Sequence, residues 1–383
     1  MVTRIDRILT THVGSLPRPK DVLAFLFARA KGESVDPAGF ESAVAAAVED
    51  AVARQKKAGI DIPSDGEMSK ISYATYVAER LTGFSGDSPR RVPSDLLEVP
   101  RYMKRLADTG GTPRLARPCC TGAIHVRTTE PLEADLARFR RSLKAQGYDQ
   151  GFMNAAAPGV ISLFQPNRFY KDDDAYLDAL SSAMAAEYRR IVEAGLHLQI
   201  DSPDLGAGRH TMYADLDEAT FLRRIEVHVA ALNAALRGLP QDRIRVHLCW
   251  GNYEGPHTHD IPLAKILPAA LRIKAGAISF EAANPRHAHE WVVFRDEVKL
   301  PEDRVLIPGV IDSCSNYVEH PDLVVERLCR FADIVGRERV MASADCGFAT
   351  VADWNTVDPD IVWMKLASMV EGAQRASRRL WKR

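Results

Sequence analysis

Short apolar runs alternate with longer amphipathic stretches along most of the chain, and this alternation predicts an α/β fold. In the longer stretches apolar residues recur every three or four positions, as in "FESAVAAAVEDAVARQKKAG" at 40–59, which is typical of helices. The short runs are typical of strands, and they cover 7–15, 60–67, 151–159, 196–204, 243–251, 275–283, 304–312 and 339–347. Eight strand-then-helix units indicate a parallel sheet closed into a (β/α)8 TIM barrel.

An alternative fold and an inserted segment also have to be considered. An open doubly wound sheet is the alternative, but "GAGRHT" has Thr211 where a Gly-x-Gly-x-x-Gly turn needs its third glycine. Residues 85–129 break the strand–helix rhythm, because they are rich in Pro, Gly and Arg and end in a β-like run. We interpret them as an insertion after the second strand that carries a small β-hairpin, within a single domain spanning 1–383.

The composition of the chain gives no indication that it binds nucleic acid or a membrane or that it is secreted. The chain carries 50 basic and 51 acidic side chains, which offers no electrostatic argument for a nucleic acid or an anionic membrane as partner. No run of 18 apolar residues predicts a transmembrane helix, and the N-terminus lacks the apolar core of a secretory signal. We therefore expect a cytoplasmic enzyme with small-molecule partners, while a homo-oligomer remains open.

Reactive side chains follow the predicted strands, at the rim where barrel enzymes carry their active sites. His247 and Cys249 are two positions apart on the fifth strand, so their side chains point to the same face. A zinc ion takes about four ligands from Cys, His and carboxylate, and sulfur ligands favour zinc over magnesium or calcium. Glu281 after the sixth strand and Cys346 after the eighth would complete a Zn²⁺ site.

Seven motifs in a fixed order carry a family resemblance. They are "TTHVGSLPRP", "DIPSDGE", "LQIDSPDL", "HLCWGN", "SFEAA", "GVID" and "ADCGF". The chain resembles the catalytic barrel of the cobalamin-independent methionine synthase family, over about 10–350, and in particular its short, single-barrel members. The resemblance implies a methyltransferase in which a zinc-bound homocysteine thiolate takes the methyl group of a methylated folate.

The resemblance also assigns residues. It implies the zinc ligands His247, Cys249, Glu281 and Cys346. It further implies contacts with homocysteine by Gly14 and Ser15, and capture of the homocysteine ammonium by Glu67 and Asp201. Two rim carboxylates suit a cationic amino group.

The chain departs from the family at the methyl donor. Cys314 or Ser313 stands where the family has a catalytic histidine, so we expect Cys314, Asp312 or a histidine of "GPHTHD" to supply the proton for the leaving group. Phe164 is the aromatic residue nearest to the place of the tryptophan that stacks on the folate.

The acceptor thiol and the donor therefore stay open. In the related epoxyalkane:coenzyme M transferases a zinc-bound thiolate opens an epoxide, and an arginine such as Arg209 or Arg18 would suit the sulfonate of that thiol. Homocysteine with a methylated folate is the expected substrate pair, and coenzyme M or another thiol with an epoxide or another alkyl donor is the alternative. A zinc barrel without catalytic activity is disfavoured, because structural zinc sites are usually closed by Cys and His ligands.

Overall fold

The computed structural model describes residues 6–89, 91–108 and 116–382, and its centre is a curled parallel sheet enclosed by helices. The strands are β1 (Leu9–Thr10), β2 (Phe84–Ser85), β3 (Cys119–Cys120), β4 (Phe152–Ala156), β5 (His197–Asp201), β6 (Ile244–Leu248), β7 (Ala277–Phe280), β8 (Val305–Ile311) and β9 (Met341–Ala344). The helices are α1 (Lys20–Ala30), α2 (Pro37–Ala58), α3 (Val77–Arg80), α4 (Ser94–Leu97), α5 (Pro100–Asp108), α6 (Glu130–Ala145), α7 (Pro158–Phe164), α8 (Asp173–Glu193), α9 (Glu218–Ala235), α10 (Leu263–Ala270), α11 (Trp291–Asp296), α12 (Pro321–Val335) and α13 (Pro359–Leu380).

Seven parallel strands and one irregular segment form the barrel wall. The strand order is β1, β9, β8, β7, β6, β5, β4. Between the two edges lies the segment 60–64, where the amide of Ile62 donates to the carbonyl of Thr10 (3.1 Å). On its other side, the amide of Phe152 donates to the carbonyl of Pro63 (2.9 Å). The segment therefore joins β1 to β4, and the predicted (β/α)8 barrel is confirmed.

The prediction of a regular strand at 60–67 is wrong, and local chemistry explains why. Pro63 has no N–H to contribute to a hydrogen-bond ladder. Gly66 and Glu67 then adopt positive φ values of 70° and 57°, which turn the chain sharply away from the sheet direction. The first strand is also shorter than predicted, because only Leu9–Thr10 has strand geometry.

The barrel interior is apolar at the end where the strands begin. This end is filled by a buried cluster of Leu9, Ile62, Phe152, Ala277, Val305, Ile307 and Met341. Above it the guanidinium of Arg245 lies 3.4 Å from the centroid of the Phe152 ring, and it donates to Thr11 Oγ1 (2.9 Å) and to the carbonyl of His12 (2.8 Å). Burial lowers the pKa of Arg245 to about 9. The interior thus changes from apolar to polar towards the rim that carries the site.

Four of the long surrounding helices, α2, α8, α9 and α13, start where an aspartate accepts hydrogen bonds from their first amides. Asp36 caps α2 and Asp172 caps α8 in this way, which satisfies amides that have no partner inside the helix. The larger apolar core lies between these helices and the outer face of the barrel. Within the described residues, no helix combines the length and the apolar character needed to cross a membrane.

The insertion contributes a small second sheet outside the barrel wall. The strands β2 and β3 pair antiparallel, with Phe84 opposite Cys120 and Ser85 opposite Cys119, and they are not part of the barrel sheet. This pair is the predicted small β-hairpin element, although α4 and α5 lie between its strands. Residues 90 and 109–115 of the predicted insertion lie outside the described residues.

Candidate active site and metal centre

Three of the predicted metal ligands meet at the rim. His247 lies on β6, Cys249 follows this strand directly, and Cys346 follows β9. One ligand atom from each residue lies within 4.8 Å of the other two, and the two sulfur atoms are 3.6 Å apart. The i,i+2 spacing therefore places the imidazole and the first thiol on the same face, as the sequence predicts.

The buried polar atoms of this cluster fit a metal ion. Within the described chain, neither ring nitrogen of His247 has a hydrogen-bond partner, and such burial is costly unless something else binds the lone pair. Burial lowers the pKa of His247 to about 3, so the ring is neutral and can coordinate. The hydrogen bond with Cys346 raises the pKa of the Cys249 thiol well above its usual value, so a bound cation is needed to make it a thiolate.

Glu281 stands beside this trio and is held by hydrogen bonds. Its Oε1 accepts the amide of Trp250 (2.8 Å), and its Oε2 accepts Nδ2 of Asn284 (2.8 Å). Asp345 fixes the same loop, since it accepts the amides of Ala282, Ala283 and Asn284 at 2.7–2.8 Å. The residues of this loop hold Glu281 in a defined orientation, with its charge close enough to raise the pKa of Cys249.

Two carboxylates form a second centre at the rim. Glu67 and Asp201 are both buried, and burial raises the pKa of Glu67 to about 7 and that of Asp201 to about 6. Among the described residues, Oε2 of Glu67 has no hydrogen-bond partner. Lys70, whose charge opposes the rise of both pKa values, donates its Nζ to the carbonyl of Asn154 (2.6 Å). Two buried acids with raised pKa values form a site that attracts a cation.

Asn154 and Gln199 hold Asp201 in place. Its two oxygens accept Nδ2 of Asn154 (2.9 Å) and Nε2 of Gln199 (2.8 Å), and both amides also donate to the carbonyl of Val13. This approach requires glycine at position 14, because a Cβ there would lie 2.2 Å from Oδ1 of Asn154. Asn154 is not among the site residues predicted from the sequence. The signal that could have identified it is a polar residue in the middle of the buried strand β4.

Ser15 and Arg18 connect the loop after β1 to the loop that follows Cys346. The carbonyl of Ser15 accepts the amide of Phe348 (3.0 Å), and a Cβ on Gly347 would lie 2.0 Å from Ser15 Oγ. Arg18 donates to the carbonyls of Glu67 (3.1 Å) and Ala349 (2.7 Å). Ser15 and Arg18 therefore belong to the rim.

Aromatic side chains form a wall near the thiols. Phe164 meets Tyr73 edge-to-face at 5.5 Å, and the guanidinium of Arg117 lies over the Phe164 ring at 5.0 Å. Burial raises the pKa of Tyr73 well above its usual value, and the charges of Cys249 and Cys346 raise it further. Tyr73 was missed because it lies in an irregular loop. Arg209 instead donates to carbonyls in its own loop, those of Tyr213 and Ala214.

The thiol of Cys314 lies in a small hydrogen-bonded group after β8. It donates to Oδ1 of Asn252 (3.2 Å), which also accepts the hydroxyl of Ser313 (2.8 Å). The carboxylate of Asp312 accepts the amide of Cys314 (2.9 Å). Burial raises the pKa of Cys314 well above its usual value, so the thiol keeps its proton at neutral pH.

Comparisons with known proteins agree with the architecture. A solved B12-independent methionine synthase from Shewanella sp. W3-18-1, in complex with selenomethionine, superposes with a TM-score of 0.75 at 18% identity, covering 98% of this chain and all of that one. The putative vitamin-B12 independent methionine synthase from Listeria monocytogenes gives a TM-score of 0.65 at 19% identity, covering 97% and 98%. These likenesses show a shared fold.

Sequence comparison extends over the same length. The chain is 26% identical over 378 residues to a methionine synthase of Saccharolobus solfataricus, with 97% of this chain and 96% of the relative covered. A methionine synthase of Sulfolobus acidocaldarius is likewise 26% identical, with 97% and 93% covered. The family profile described as the catalytic domain of cobalamin-independent synthase matches residues 8–98 and 132–375, which is most of the chain and leaves out 99–131, including the larger part of the predicted insertion. The chain therefore belongs to the cobalamin-independent methionine synthase family and carries that family's catalytic domain.

Proposed function

We propose that this protein is a zinc-dependent methyltransferase that transfers a methyl group to the thiol of homocysteine and so forms methionine. The paired carboxylates Glu67 and Asp201 carry this proposal, because they lie at the same rim as three soft metal ligands. Homocysteine has both of the groups that such a rim would bind, a thiol and an ammonium.

The metal in this proposal is zinc. One imidazole and two thiols favour zinc over the hard cations that prefer oxygen ligands. Zinc bound by His247, Cys249 and Cys346, with Glu281 as an adjacent fourth ligand, would keep the substrate sulfur as a thiolate at neutral pH. A free thiol with an ordinary pKa near 8.5 is mostly protonated under the same conditions.

The side chains of the rim orient the thiol substrate. Glu67 and Asp201 bind its ammonium, and Asn154 keeps Asp201 directed towards it. Gly14 and Ser15 contact the amino acid from the loop after β1, and Tyr73 with Phe164 forms the wall towards the methyl donor. A methylated folate is the donor that we propose, following the family to which the chain belongs.

Coenzyme M with an epoxide is the alternative substrate pair. Coenzyme M has no ammonium, so it would leave Oε2 of Glu67 buried without a hydrogen-bond partner among the described residues, which is unfavourable. Arg209, one of the two arginines considered for its sulfonate, is occupied by carbonyls of its own loop. The carboxylate pair therefore favours homocysteine.

A direct assay tests the proposal. The zinc-loaded protein is incubated with homocysteine and a methylated folate, with homocysteine and a sulfonium methyl donor, or with coenzyme M and an epoxide, and the products are separated by chromatography. We expect methionine from homocysteine and loss of this product in Cys346→Ser, whereas Cys329→Ser on α12 should remain active. Alkylation of coenzyme M in place of homocysteine would contradict the proposal.

A further inference from the structure

A buried network of imidazoles and carboxylates lies behind the loop that carries Cys249. Asp260 is its centre, because Oδ2 of this residue is 2.9 Å from His257 Nδ1 and 3.0 Å from His287 Nε2. His257 Nε2 donates to the carbonyl of Tyr253 (3.0 Å), and His287 Nδ1 donates to Glu290 Oε2 (2.8 Å). These contacts have ordinary hydrogen-bond lengths, three to carboxylates and one to a main-chain carbonyl, and they require protons on the ring nitrogens.

The hydrogen-bond pattern determines the charge of both rings. Each ring nitrogen of His257 and His287 faces an oxygen that can only accept, so only the doubly protonated ring satisfies both contacts. Burial by itself lowers the pKa of His257, but the hydrogen bond and the charge of Asp260 raise it overall. The same effects, with Glu290 added, raise the pKa of His287 to about 10.

Charged groups from the neighbouring elements also face His257. Asp95 on α4 accepts the amide of His257 (2.7 Å) and the hydroxyl of Tyr253 (2.9 Å). The charge of Glu281 raises the pKa of His257 further. His210 is the opposing group, with its ring centroid 6.4 Å away, but burial lowers the pKa of His210 and favours its neutral form. The surroundings of His257 therefore favour an imidazolium ion.

His257 is the most exposed of the three central residues of this network. Its side chain is 12% exposed, compared with 4% for His287 and 2% for Asp260. A Cβ on Gly251 would lie 3.8 Å from Cε1 of His257, and the amide of Gly251 donates to the sulfur of Cys249 (3.3 Å). The ring of His257 therefore lies beside Gly251, whose amide in turn contacts the sulfur of Cys249.

The backbone of His257 is held in a strained conformation. Its φ of 53° costs a non-glycine residue about 1–3 kcal/mol and persists only where the surroundings enforce it. Here the carboxylate of Asp95 enforces it from the insertion, through the amide of His257. Strain of this kind occurs often at functional sites.

The proposed reaction needs an acid at this rim. Methyl transfer from nitrogen leaves an amine that must gain a proton as it departs. The thiol of Cys314 is a poor source, because burial raises its pKa, and Glu67 and Asp201 are occupied by the ammonium in the proposed function. The imidazolium of His257 is suitable, because its Nε2–H is shared only with a neutral carbonyl that a substrate nitrogen can replace.

We propose that His257 is the general acid that protonates the leaving nitrogen of the methyl donor. The sulfur–carbon bond forms, the carbon–nitrogen bond breaks, and the electron pair of that bond stays on nitrogen. The proton then passes from His257 Nε2 to this nitrogen, while Asp260 keeps its hydrogen bond to Nδ1. The inference rests on the proposed function, since it concerns the same site and the same thiol substrate.

Two methyl donors and two variants test this role in the zinc-loaded protein. Methyltetrahydrofolate has an amine leaving group, whereas S-methylmethionine, a sulfonium, leaves as a neutral thioether that needs no proton. His257→Gln keeps hydrogen-bonding capacity without acidity, and His259→Gln is the matched control, since His259 is an exposed residue of the same loop paired with Glu98. General acids typically contribute about 10²–10⁴-fold, so we expect His257→Gln to lower kcat with methyltetrahydrofolate by about 100-fold or more.

The sulfonium donor and the pH profile separate this role from a structural one. With S-methylmethionine, His257→Gln should stay within about twofold of the unmodified protein. With methyltetrahydrofolate, activity of the unmodified protein should fall as pH rises above the pKa of His257, and the variant should lack this fall. Equal losses with both donors, or turnover of the sulfonium alone by the unmodified protein, would overturn the inference. If the unmodified protein turns over neither donor, the result would overturn the proposed function as well as the inference.

Discussion

Glu67→Gln should have two opposite effects. It should remove the unfavourable burial of a carboxylate, and it should weaken the recognition of the substrate ammonium. Glu67 is 2% exposed, and burial raises its pKa from an ordinary 4.5 to about 7. A raised carboxyl pKa means that the ionised form destabilises the fold. This penalty is small below the ordinary pKa, grows as pH rises from about 4.5 to about 7, and is complete above that. At about 1.4 kcal/mol per pKa unit, it amounts to about 3 kcal/mol.

The ligand-free variant should therefore be more stable than the unmodified protein, and the gain should depend on pH. We expect about 3 kcal/mol of additional unfolding free energy at pH 8 and about 1 kcal/mol at pH 5, measured by urea denaturation at constant metal occupancy. Comparing the two proteins at each pH cancels the titration of groups that do not interact with Glu67; Asp201, whose charge raises the pKa of Glu67, is the exception. A gain that is the same at both values of pH would refute the link to the carboxyl pKa.

The same variant should bind homocysteine poorly. Removing one partner of a buried charge pair costs about 2 kcal/mol or more, which corresponds to a fall of about 30-fold or more in kcat/KM. The matched substrate is 4-mercaptobutyrate, which keeps the thiol and the carboxylate but lacks the amine, and its kcat/KM should change little. Equal losses for both thiols would show that Glu67 acts on something other than the ammonium.

Three further predictions concern the metal and the rim. Cys346→Ser should lose most of its zinc, measured by elemental analysis after dialysis, whereas Cys329→Ser should keep about one ion per chain, and full occupancy in both would contradict the assignment. Asp345→Asn should release zinc faster to a chelator, because it weakens charge-assisted hydrogen bonds worth about 1.5–3 kcal/mol each, and an unchanged release rate would count against this positioning role. Gly159→Ala should lower the unfolding free energy by more than 2 kcal/mol, because its Cβ would lie 2.1 Å from a buried carboxylate, while Gly122→Ala, which meets nothing closer than 3.5 Å, should change it little.

The periodicity of the chain predicts the barrel because burial acts on every strand in the same way. His247 and Cys249 could be paired from sequence, since a strand places alternate side chains on one face. The second barrel strand, predicted at 60–67, could not be predicted correctly. Its apolar pattern contains Pro63, and Gly66 and Glu67 after it turn at positive φ. Hydrogen bonds from the neighbouring strands hold that segment in the sheet, and such tertiary contacts leave no local signal.

The parts of the site on loops were harder to predict for a related reason. Glu281 was expected as a ligand from its place after β7, but its hydrogen bonds to Trp250 and Asn284 depend on how two loops meet. Tyr73 lies in a loop without periodicity, and its edge-to-face contact with Phe164 depends on how that loop packs. The role of Asp260 as the centre of a network depends on three separate segments. Sequence patterns identify which residues could bind a metal or a substrate or transfer a proton, and the packing of loops decides which of them lie together.

The distribution of unsatisfied polar groups links the stability of this fold to its chemistry. At the closed end of the barrel, the interior is apolar and packed. At the open end, His247 and Glu67 are buried with ring nitrogens or a carboxylate oxygen that have no hydrogen-bond partner in the described chain. Each such group costs about 1–3 kcal/mol unless a ligand satisfies it. A metal ion at the imidazole and an ammonium at the carboxylate would each remove one of these costs, so binding should stabilise the rim most strongly. Part of the substrate's binding energy thus comes from satisfying polar groups whose burial is unfavourable in the ligand-free protein. The packed, apolar half of the barrel is stable enough to offset that cost.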